Sequence, residues 1–180
     1  VTRKWPPKER CIAVPEPSDY WSTFETRLAE LGCRPVLIGA LAAQEYRATP
    51  RFTSDVDFLV TSLDGVADVF RAAGYDVTTM ADPGSPPYVV FIRGQGARVD
   101  ALLAETAYQL EAHRRATDGV LTIEDVIVHK LIAWRAKDRD DVQSILSTRP
   151  TLDEAYIEHW AQEWEVSARW AEARRLWMAG

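Results

Sequence analysis

Hydrophobic positions change their spacing near the middle of the chain. In the first half, short apolar runs bounded by glycine, proline or polar residues predict strands over 35–38, 56–61, 75–79, 89–92 and 97–102. Apolar residues three or four positions apart predict helices over 18–31, 39–46 and 66–73. The Gly94-Gln95-Gly96 segment predicts a hairpin between the last two strands. The first half therefore has the alternating pattern of strands and helices.

The second half shows helical spacing alone. Capping sequences at 122–125 and 151–154 mark two helix starts, and the apolar spacing predicts helices over 104–115, 122–134, 138–146, 151–164 and 166–178. We divide the chain into a proline-bearing arm at 1–17, an α/β core at 18–103 and a helical region at 104–180.

Composition narrows the class of protein. The 180 residues suit one ordinary domain, and an apolar share of 47% is enough for a substantial core. A net charge of −6 without a long basic run argues against a protein that coats nucleic acid, but it leaves local docking of RNA open. Two cysteines predict neither a disulfide scaffold nor a metal site. Without a long apolar run we expect no membrane span and a cytoplasmic protein.

Two aspartates at the start of a strand are the first chemical signal. Asp55 and Asp57 lie two residues apart, so an extended backbone points both side chains to one face while Val56 and Phe58 face a core. Adjacent carboxylates repel each other unless a cation neutralises them. Mg²⁺ prefers oxygen ligands and leaves room for phosphate oxygens. The pair is also compatible with ordinary turn chemistry at a strand start.

Asp100 and Gly39 extend this signal. Asp100 is a single acid inside an apolar strand pattern, where aspartate is uncommon and costly to bury without a partner. If its strand lies beside 56–61, three carboxylates share one site and could hold two divalent ions. Gly39 stands between a strand and a helix, where a phosphate can approach the backbone, although a plain tight turn is equally consistent with it.

These motifs, taken in order, resemble the polymerase-β-type nucleotidyltransferase superfamily. The resemblance rests on Gly39-Ala40, the run Arg51-x-Thr53-x-Asp55-Val-Asp57, and Asp100. It implies an α+β fold, with a small mixed β-sheet nucleotidyltransferase core flanked by helices and followed by an all-helical C-terminal part. It also implies a site with two Mg²⁺ ions that moves a nucleotidyl group from an NTP.

The resemblance assigns roles residue by residue. Asp55 and Asp57 would ligate both metals, and Asp100 would ligate the catalytic metal and take the proton from the acceptor hydroxyl. Nucleotide binding would fall to residues of the glycine turn and the segment before the aspartates, namely Gly39, Ala40, Arg51, Thr53 and Ser54. The family usually has glycine or serine where this chain has Ala40, so a hydroxyl contact to the triphosphate would be missing.

A second run, in the helical half, resembles AbiEii-type toxins and related bacterial nucleotidyltransferase-like proteins. It has the spacing Lys-x₄-Arg-x-Lys-Asp-x-x-Asp from Lys130 to Asp141. If one helix runs through it, Lys130, Lys137 and Asp141 share a face. We assign Lys130, Lys137 and Asp138 to nucleotide binding; the alternative is a solvated charged helix face.

The leading hypothesis from the sequence is an Mg²⁺-dependent nucleotidyltransferase of toxin type, with tRNA or a protein as acceptor. The alternatives are an antibiotic nucleotidyltransferase, acting on a small hydroxylated molecule of the aminoglycoside or lincosamide kind, and a binding module that keeps the fold without catalysis. The toxin interpretation allows an antitoxin partner. Trp160, Trp164 and Trp177 favour a core, or the seam of a homodimer, over a base-stacking platform.

Overall fold

A computed structural model describes residues 17–179. Within this range the strands are β1 (Val36–Ile38), β2 (Val56–Val60), β3 (Asp76–Met80), β4 (Val89–Gly94) and β5 (Ala97–Leu103). The helices are α1 (Pro17–Glu30), α2 (Gly39–Gln44), α3 (Val66–Ala72), α4 (Ala107–Arg115), α5 (Ile123–Ala133), α6 (Ala136–Ser147), α7 (Glu154–Glu163) and α8 (Ser167–Ala179). The predicted arm at 1–17 falls outside the described residues except for Pro17, which begins α1.

The strands form one mixed sheet with the order β1-β2-β5-β4-β3. β2 and β5 run parallel, whereas the other neighbours are antiparallel. The parallel pair is central, and it places Asp57 opposite Asp100 in register. The predicted small mixed sheet is therefore present, and the strand of Asp100 does lie beside the strand of Asp57.

Apolar side chains fill the space on both faces of the sheet. One face packs against α1 and α3 through residues such as Phe24, Phe58 and Phe70. The other face packs against α2 and the C-terminal helices, where Leu59 and Ile127 share a core cluster. Because Phe58 and Leu59 are consecutive residues of β2, their alternation explains how one strand supports both cores. The helical half is thus built onto the sheet and frames one side of it.

The charged run from Lys130 to Asp141 is divided between two helices. α5 ends at Ala133, and Trp134 caps it in the left-handed region with φ 48°. Arg135 is extended, and α6 begins at Ala136, two residues before the predicted start. The break agrees with the separate helices predicted over 122–134 and 138–146, so the condition for a shared helix face of Lys130, Lys137 and Asp141 is not met. The break turns α6 back toward α5, and this turn brings the charged residues together by a different route.

The tryptophans of the last two helices serve the core. Trp160 and Trp177 are half-buried against the helical core cluster, whereas Trp164 keeps 37% of its surface exposed. Across residues 17–179 every helix is too short or too polar to cross a membrane.

Candidate active site

The glycine turn after β1 brings the backbone against an acidic side chain. Gly39 has φ +68°, which glycine adopts without the steric cost that other residues incur. A β-carbon placed there would overlap the Asp57 carboxylate and lie 2.9 Å from its Cγ. The sequence needs glycine at this position for two independent reasons, the backbone conformation and the close approach of Asp57.

The strand register brings the acids to one face of the sheet. Asp57 and Asp100 are direct partners on the parallel strands β2 and β5, so their side chains leave the same face. Asp55 lies two residues before Asp57, just ahead of β2, and all three residues line one cleft. Gly39 and Ala40 complete the floor of this cleft.

The grouping of acids changes the pKa of Asp57. Burial, with added repulsion from Asp100 and Asp55, raises the pKa of Asp57 to about 6. Lys130 and Lys137 oppose the rise but do not cancel it. A divalent cation would remove the repulsion that the neighbouring acids create and would favour the ionised form of Asp57.

The neighbouring acids are each paired with an arginine of the sheet. Arg98 Nε lies 2.6 Å from Asp55 Oδ1, and Arg93 Nη2 lies 2.6 Å from Asp100 Oδ1. Among residues 17–179, no three acidic, histidine or cysteine side chains already meet in a complete metal cage. The donor set of three carboxylates suits a hard divalent ion. Metal ligation by Asp55 Oδ1 or by Asp100 Oδ1 would require that oxygen to release its arginine.

Cationic side chains also line the cleft, and we call them its cationic wall. They come from the segment before β2, from α5 and α6, and from the turn between these helices: Arg51, Lys130, Arg135 and Lys137. Lys130 is 5% exposed, so it is a buried lysine rather than the surface lysine that a solvated helix face would present. Its Nζ lies 2.7 Å from Asp141 Oδ2 and 3.4 Å from Asp138 Oδ1. The interpretation of this run as a solvated charged face is wrong for its central residues.

Asp141 connects this wall to the first half of the chain. Its buried carboxylate accepts hydrogen bonds from Arg51 at 3.2 Å, from Lys130 and from Arg47. Burial disfavours the ionised form, but the hydrogen bonds from Lys130 and Arg51 hold the pKa of Asp141 below its usual range. Arg47, Arg51 and Lys130 thus share one buried carboxylate, and two of them, Arg51 and Lys130, also line the cleft.

Asp138 holds the turn between α5 and α6. It is fully buried, and its Oδ2 accepts from the Arg135 backbone N–H at 3.0 Å and from Arg135 Nε at 2.7 Å. Burial opposes ionisation, yet these bonds keep the pKa of Asp138 below its usual range. Asp138 therefore fixes Arg135, which lines the cleft, and does not line it itself.

The cleft has a volume of about 170 Å³ and gathers most of the residues predicted from the sequence. Ser54 and Asp138 are outside its lining, while the other predicted residues are in it: Gly39, Ala40, Arg51, Thr53, Asp55, Asp57, Asp100, Lys130 and Lys137. Sequence reasoning missed Arg135 as a lining residue and Arg47 as a partner of Asp141. The sequence pointed to Arg47 only through its position four residues before Arg51. Its role follows from the contact with Asp141 of α6.

Gly39→Ala should remove nucleotide binding while the protein still folds. The new methyl group must displace the Asp57 carboxylate, and a non-glycine residue at positive φ costs about 1 kcal/mol or more. We expect unfolding in urea to shift modestly and Mg²⁺–NTP titration heats to disappear. Gly84→Ala is the control, because Gly84 also has positive φ but has nothing within 4 Å of its added β-carbon. Unchanged nucleotide binding in Gly39→Ala would contradict the close-approach role.

Ionisation of Asp57 should make the metal-free protein less stable as pH rises from about 4 toward about 7. Its folded pKa of about 6 exceeds its ordinary value of 3.8, so the folded state binds the proton more tightly than the unfolded state across this window. Saturating Mg²⁺ should weaken this dependence by favouring the ionised form. Melting temperatures of wild type and Asp57→Asn, taken at steps of about 1 pH unit from about 4.5 to about 7.5, measure the contribution of Asp57. A wild-type minus variant difference that is flat with pH would contradict the shifted pKa.

Comparisons with known proteins bear on the fold. The solution structure of the antibiotic-resistance factor ANT(2'')-Ia, a nucleotidyltransferase, matches with a TM-score of 0.55 and 15% identity, covering 89% of this chain and 97% of that chain. A nucleotidyltransferase-like protein from Paracoccidioides brasiliensis gives a TM-score of 0.44 and 16% identity, covering 72% of this chain and 73% of that chain. A protein from H. pylori that is named a nucleotidyltransferase gives 0.47 and 16%, covering 83% and 80%. The last two scores are too low to support a conclusion about this chain.

Sequence comparison adds little. No protein-family model matches the chain. Mitochondrial ribosome-releasing factor 2 from Drosophila ananassae is 34% identical over an alignment of 93 residues, with 46% of this chain and 12% of that protein covered. The chain thus spans a small fraction of that relative, whose activity does not transfer to it. The likeness to ANT(2'')-Ia extends over nearly all of both chains, and the chain therefore has the nucleotidyltransferase fold, an α/β core followed by helices, as the sequence predicted.

Proposed function

We propose that this protein transfers a nucleotidyl group from an NTP to an acceptor hydroxyl in a reaction that depends on Mg²⁺. The observation that carries the proposal is one cleft whose lining includes three carboxylates and four cationic side chains. A polyphosphate with its divalent ions needs both kinds of side chain. The acids suit the metals, and Arg51, Lys130, Arg135 and Lys137 suit the phosphate oxygens.

The chain's own residues would serve the reaction mainly by positioning and neutralising charge. The acceptor oxygen forms a bond to the α-phosphorus, the bond from the α-phosphorus to the bridging oxygen breaks, and pyrophosphate leaves. Asp100, which pairs with Arg93 in the structure, would take the proton from the acceptor hydroxyl after releasing that arginine. Bound Mg²⁺, held by Asp55, Asp57 and Asp100, would supply Lewis-acid stabilisation of the phosphate charge.

Two acceptor classes follow from different observations. The run from Lys130 to Asp141 resembles AbiEii-type toxins, which favours tRNA or a protein, with an antitoxin as regulator. The fold of ANT(2'')-Ia, an antibiotic-resistance factor, favours a small antibiotic. We propose the macromolecular acceptor first, because Arg135 and Lys137 are exposed at the cleft and can meet a backbone phosphate of RNA as well as an NTP.

One experiment tests the proposal and separates the acceptors. The purified protein is incubated with each α-³²P-labelled NTP, Mg²⁺ and, in separate reactions, total tRNA, a cell protein extract or an aminoglycoside. Label transfer to one acceptor class, abolished by EDTA, would support nucleotidyl transfer. Mg²⁺-dependent NTP binding without any transfer would instead indicate a binding module, and absence of NTP binding would refute the proposal.

A further inference from the structure

Arg93 and Arg98 stand directly opposite each other on the antiparallel strands β4 and β5. Two like charges in such a pair destabilise a sheet, because their side chains leave the same face at close range. The two guanidinium groups go to different acids of the cleft, Arg93 to Asp100 and Arg98 to Asp55, while neither arginine lines the cleft itself. An unfavourable pair beside a proposed active site indicates a use for at least one of its members.

The guanidinium of Arg93 is fixed to the sheet. Its Nη1 donates to the carbonyl oxygen of Ile92 at 3.0 Å and to that of Val99 at 2.8 Å. The group also lies over the ring of Phe91, 5.4 Å from the ring centre. Because the backbone carbonyls of a sheet are themselves fixed, Nη2 of the same planar group is held in one place. That nitrogen lies 2.6 Å from Asp100 Oδ1.

Arg98 is held far less firmly than Arg93. Within residues 17–179 its only side-chain polar contact joins Nε to Asp55 Oδ1, at 2.6 Å. Its side chain is 58% exposed, against 33% for Arg93. Exposed pairs of long side chains contribute little stability, because pairing costs rotamer freedom. The Arg98–Asp55 pair can therefore open at little cost, whereas the Arg93–Asp100 pair belongs to a fixed arrangement.

The contact with Arg93 decides which oxygen of Asp100 is open. Oδ1 is closed to solvent, and no donor in the described part of the chain reaches it with hydrogen-bond geometry, so its partner is the charge of Arg93. The Asp100 side chain is nevertheless 24% exposed and lines the cleft. With Oδ1 covered, the open oxygen is Oδ2. A divalent ion in the cleft can thus bind Asp100 through Oδ2 without displacing Arg93.

We propose that Arg93 is a positioning residue of the metal site, which holds Asp100 with Oδ2 open to the divalent ion. The inference rests on the proposed function, because it concerns the ion that the three acids would bind. Carboxylates that ligate metals are commonly held by a further polar group, whose loss weakens metal binding by about 10- to 100-fold. The release of Arg93 that proton transfer requires would follow the binding of the ion. An arginine that only competed with the ion would have the opposite effect, since its removal would tighten metal binding.

The test is the affinity for Mn²⁺ alone, measured by electron paramagnetic resonance of the free ion. The variants are Arg93→Gln, Arg93→Lys, the matched control Arg98→Gln, and Asp100→Asn with and without Arg93→Gln. We expect Arg93→Gln to weaken Mn²⁺ binding about ten-fold. Arg93→Lys keeps the charge and secures the test if Arg93→Gln does not fold. It should also bind Mn²⁺ more weakly than wild type, because an ammonium group lacks the planar fork that spans two carbonyls and the acid.

The other two comparisons separate positioning from charge and from folding. Arg98→Gln should bind Mn²⁺ at least as tightly as wild type, because it removes a charge near the acids without disturbing a fixed contact. In the Asp100→Asn background, Arg93→Gln should add no further loss, since Arg93 acts through Asp100.

The contrary outcomes distinguish this inference from the proposed function. Unchanged or tighter Mn²⁺ binding in Arg93→Gln would overturn the positioning role and leave the metal site in place. Wild-type affinity in Arg93→Lys, or equal effects of Arg93→Gln and Arg98→Gln, would overturn it as well, because charge alone would then account for the data. A loss that persists in full in the Asp100→Asn background would overturn it by tracing the effect to the β4–β5 hairpin. Failure of the wild type to bind Mn²⁺ would overturn both proposals.

Discussion

Asp57→Asn should reduce nucleotidyl transfer by about a thousand-fold, near the upper end of what loss of one preorganised charged group costs. The change keeps the shape of the side chain but removes the charge at the point where Gly39 and Asp100 meet it. The variant should also lose the stabilisation that Mg²⁺ with NTP gives to the wild type. Initial rates with labelled NTP and melting temperatures with and without Mg²⁺–NTP measure both effects.

The same variant should fold at least as well as wild type in the absence of metal at neutral pH. Removing one of three mutually repelling acids relieves the repulsion that raises the pKa of Asp57. Asp76→Asn is the matched control, because Asp76 is an exposed strand aspartate outside the cleft lining. A metal-free Asp57→Asn protein that melts far below both wild type and Asp76→Asn would mark Asp57 as a structural residue and weaken the catalytic assignment.

Asp141→Ala should destabilise the fold by about 3–5 kcal/mol, the usual cost of removing one partner from a buried charge group. Arg47, Arg51 and Lys130 would lose their shared carboxylate in a place where water reaches Arg47 and Lys130 poorly, since their side chains are 5% and 6% exposed. For a chain of this size the melting temperature should fall by about 10 °C. Urea unfolding followed by circular dichroism gives the free energy directly.

Asp140→Ala provides the comparison for Asp141→Ala. Asp140 is the neighbouring residue and pairs with the same Arg47 at 3.0 Å, but its side chain is 61% exposed. Exposed ion pairs contribute about 0–1 kcal/mol, so this variant should remain close to wild type. If Asp141→Ala proved as mild as Asp140→Ala, the buried carboxylate would not be what holds the cationic wall, and the wall would need another support.

Local patterns were sufficient for the elements and for the acidic half of the site. The prediction for β5 was 97–102 and the strand is Ala97–Leu103, because apolar residues at alternate positions after a glycine hairpin specify a strand from a few neighbours. The pairing of Asp55 with Asp57 on one face follows from the two-residue period of a strand. Gly39 was recognisable because its place between a strand and a helix leaves few alternatives to a turn. Its contact with Asp57, by contrast, joins two segments and was not visible locally.

The contacts made by the break between α5 and α6 were less accessible. The sequence predicted separate helices over 122–134 and 138–146, but it did not show which charges the turn between them brings together. Trp134 takes the left-handed conformation because the turn lets Asp138 bond the Arg135 backbone and lets Lys130 reach Asp141. Such a choice depends on the energy of contacts formed after packing, which intrinsic propensity does not contain.

By itself, then, the sequence determined which residues form strands and helices and which acids face one way, since these depend on neighbours within a few positions. The tertiary structure alone decided that Asp57 stands beside Asp100, because a parallel pairing of distant strands is set by the whole sheet. It also decided that Arg51 binds Asp141 and that Phe52 next to it remains in water. Ion pairs between distant segments and the exposure of a single ring are properties of the packed molecule, because they depend on which surfaces the fold brings together and which it leaves uncovered.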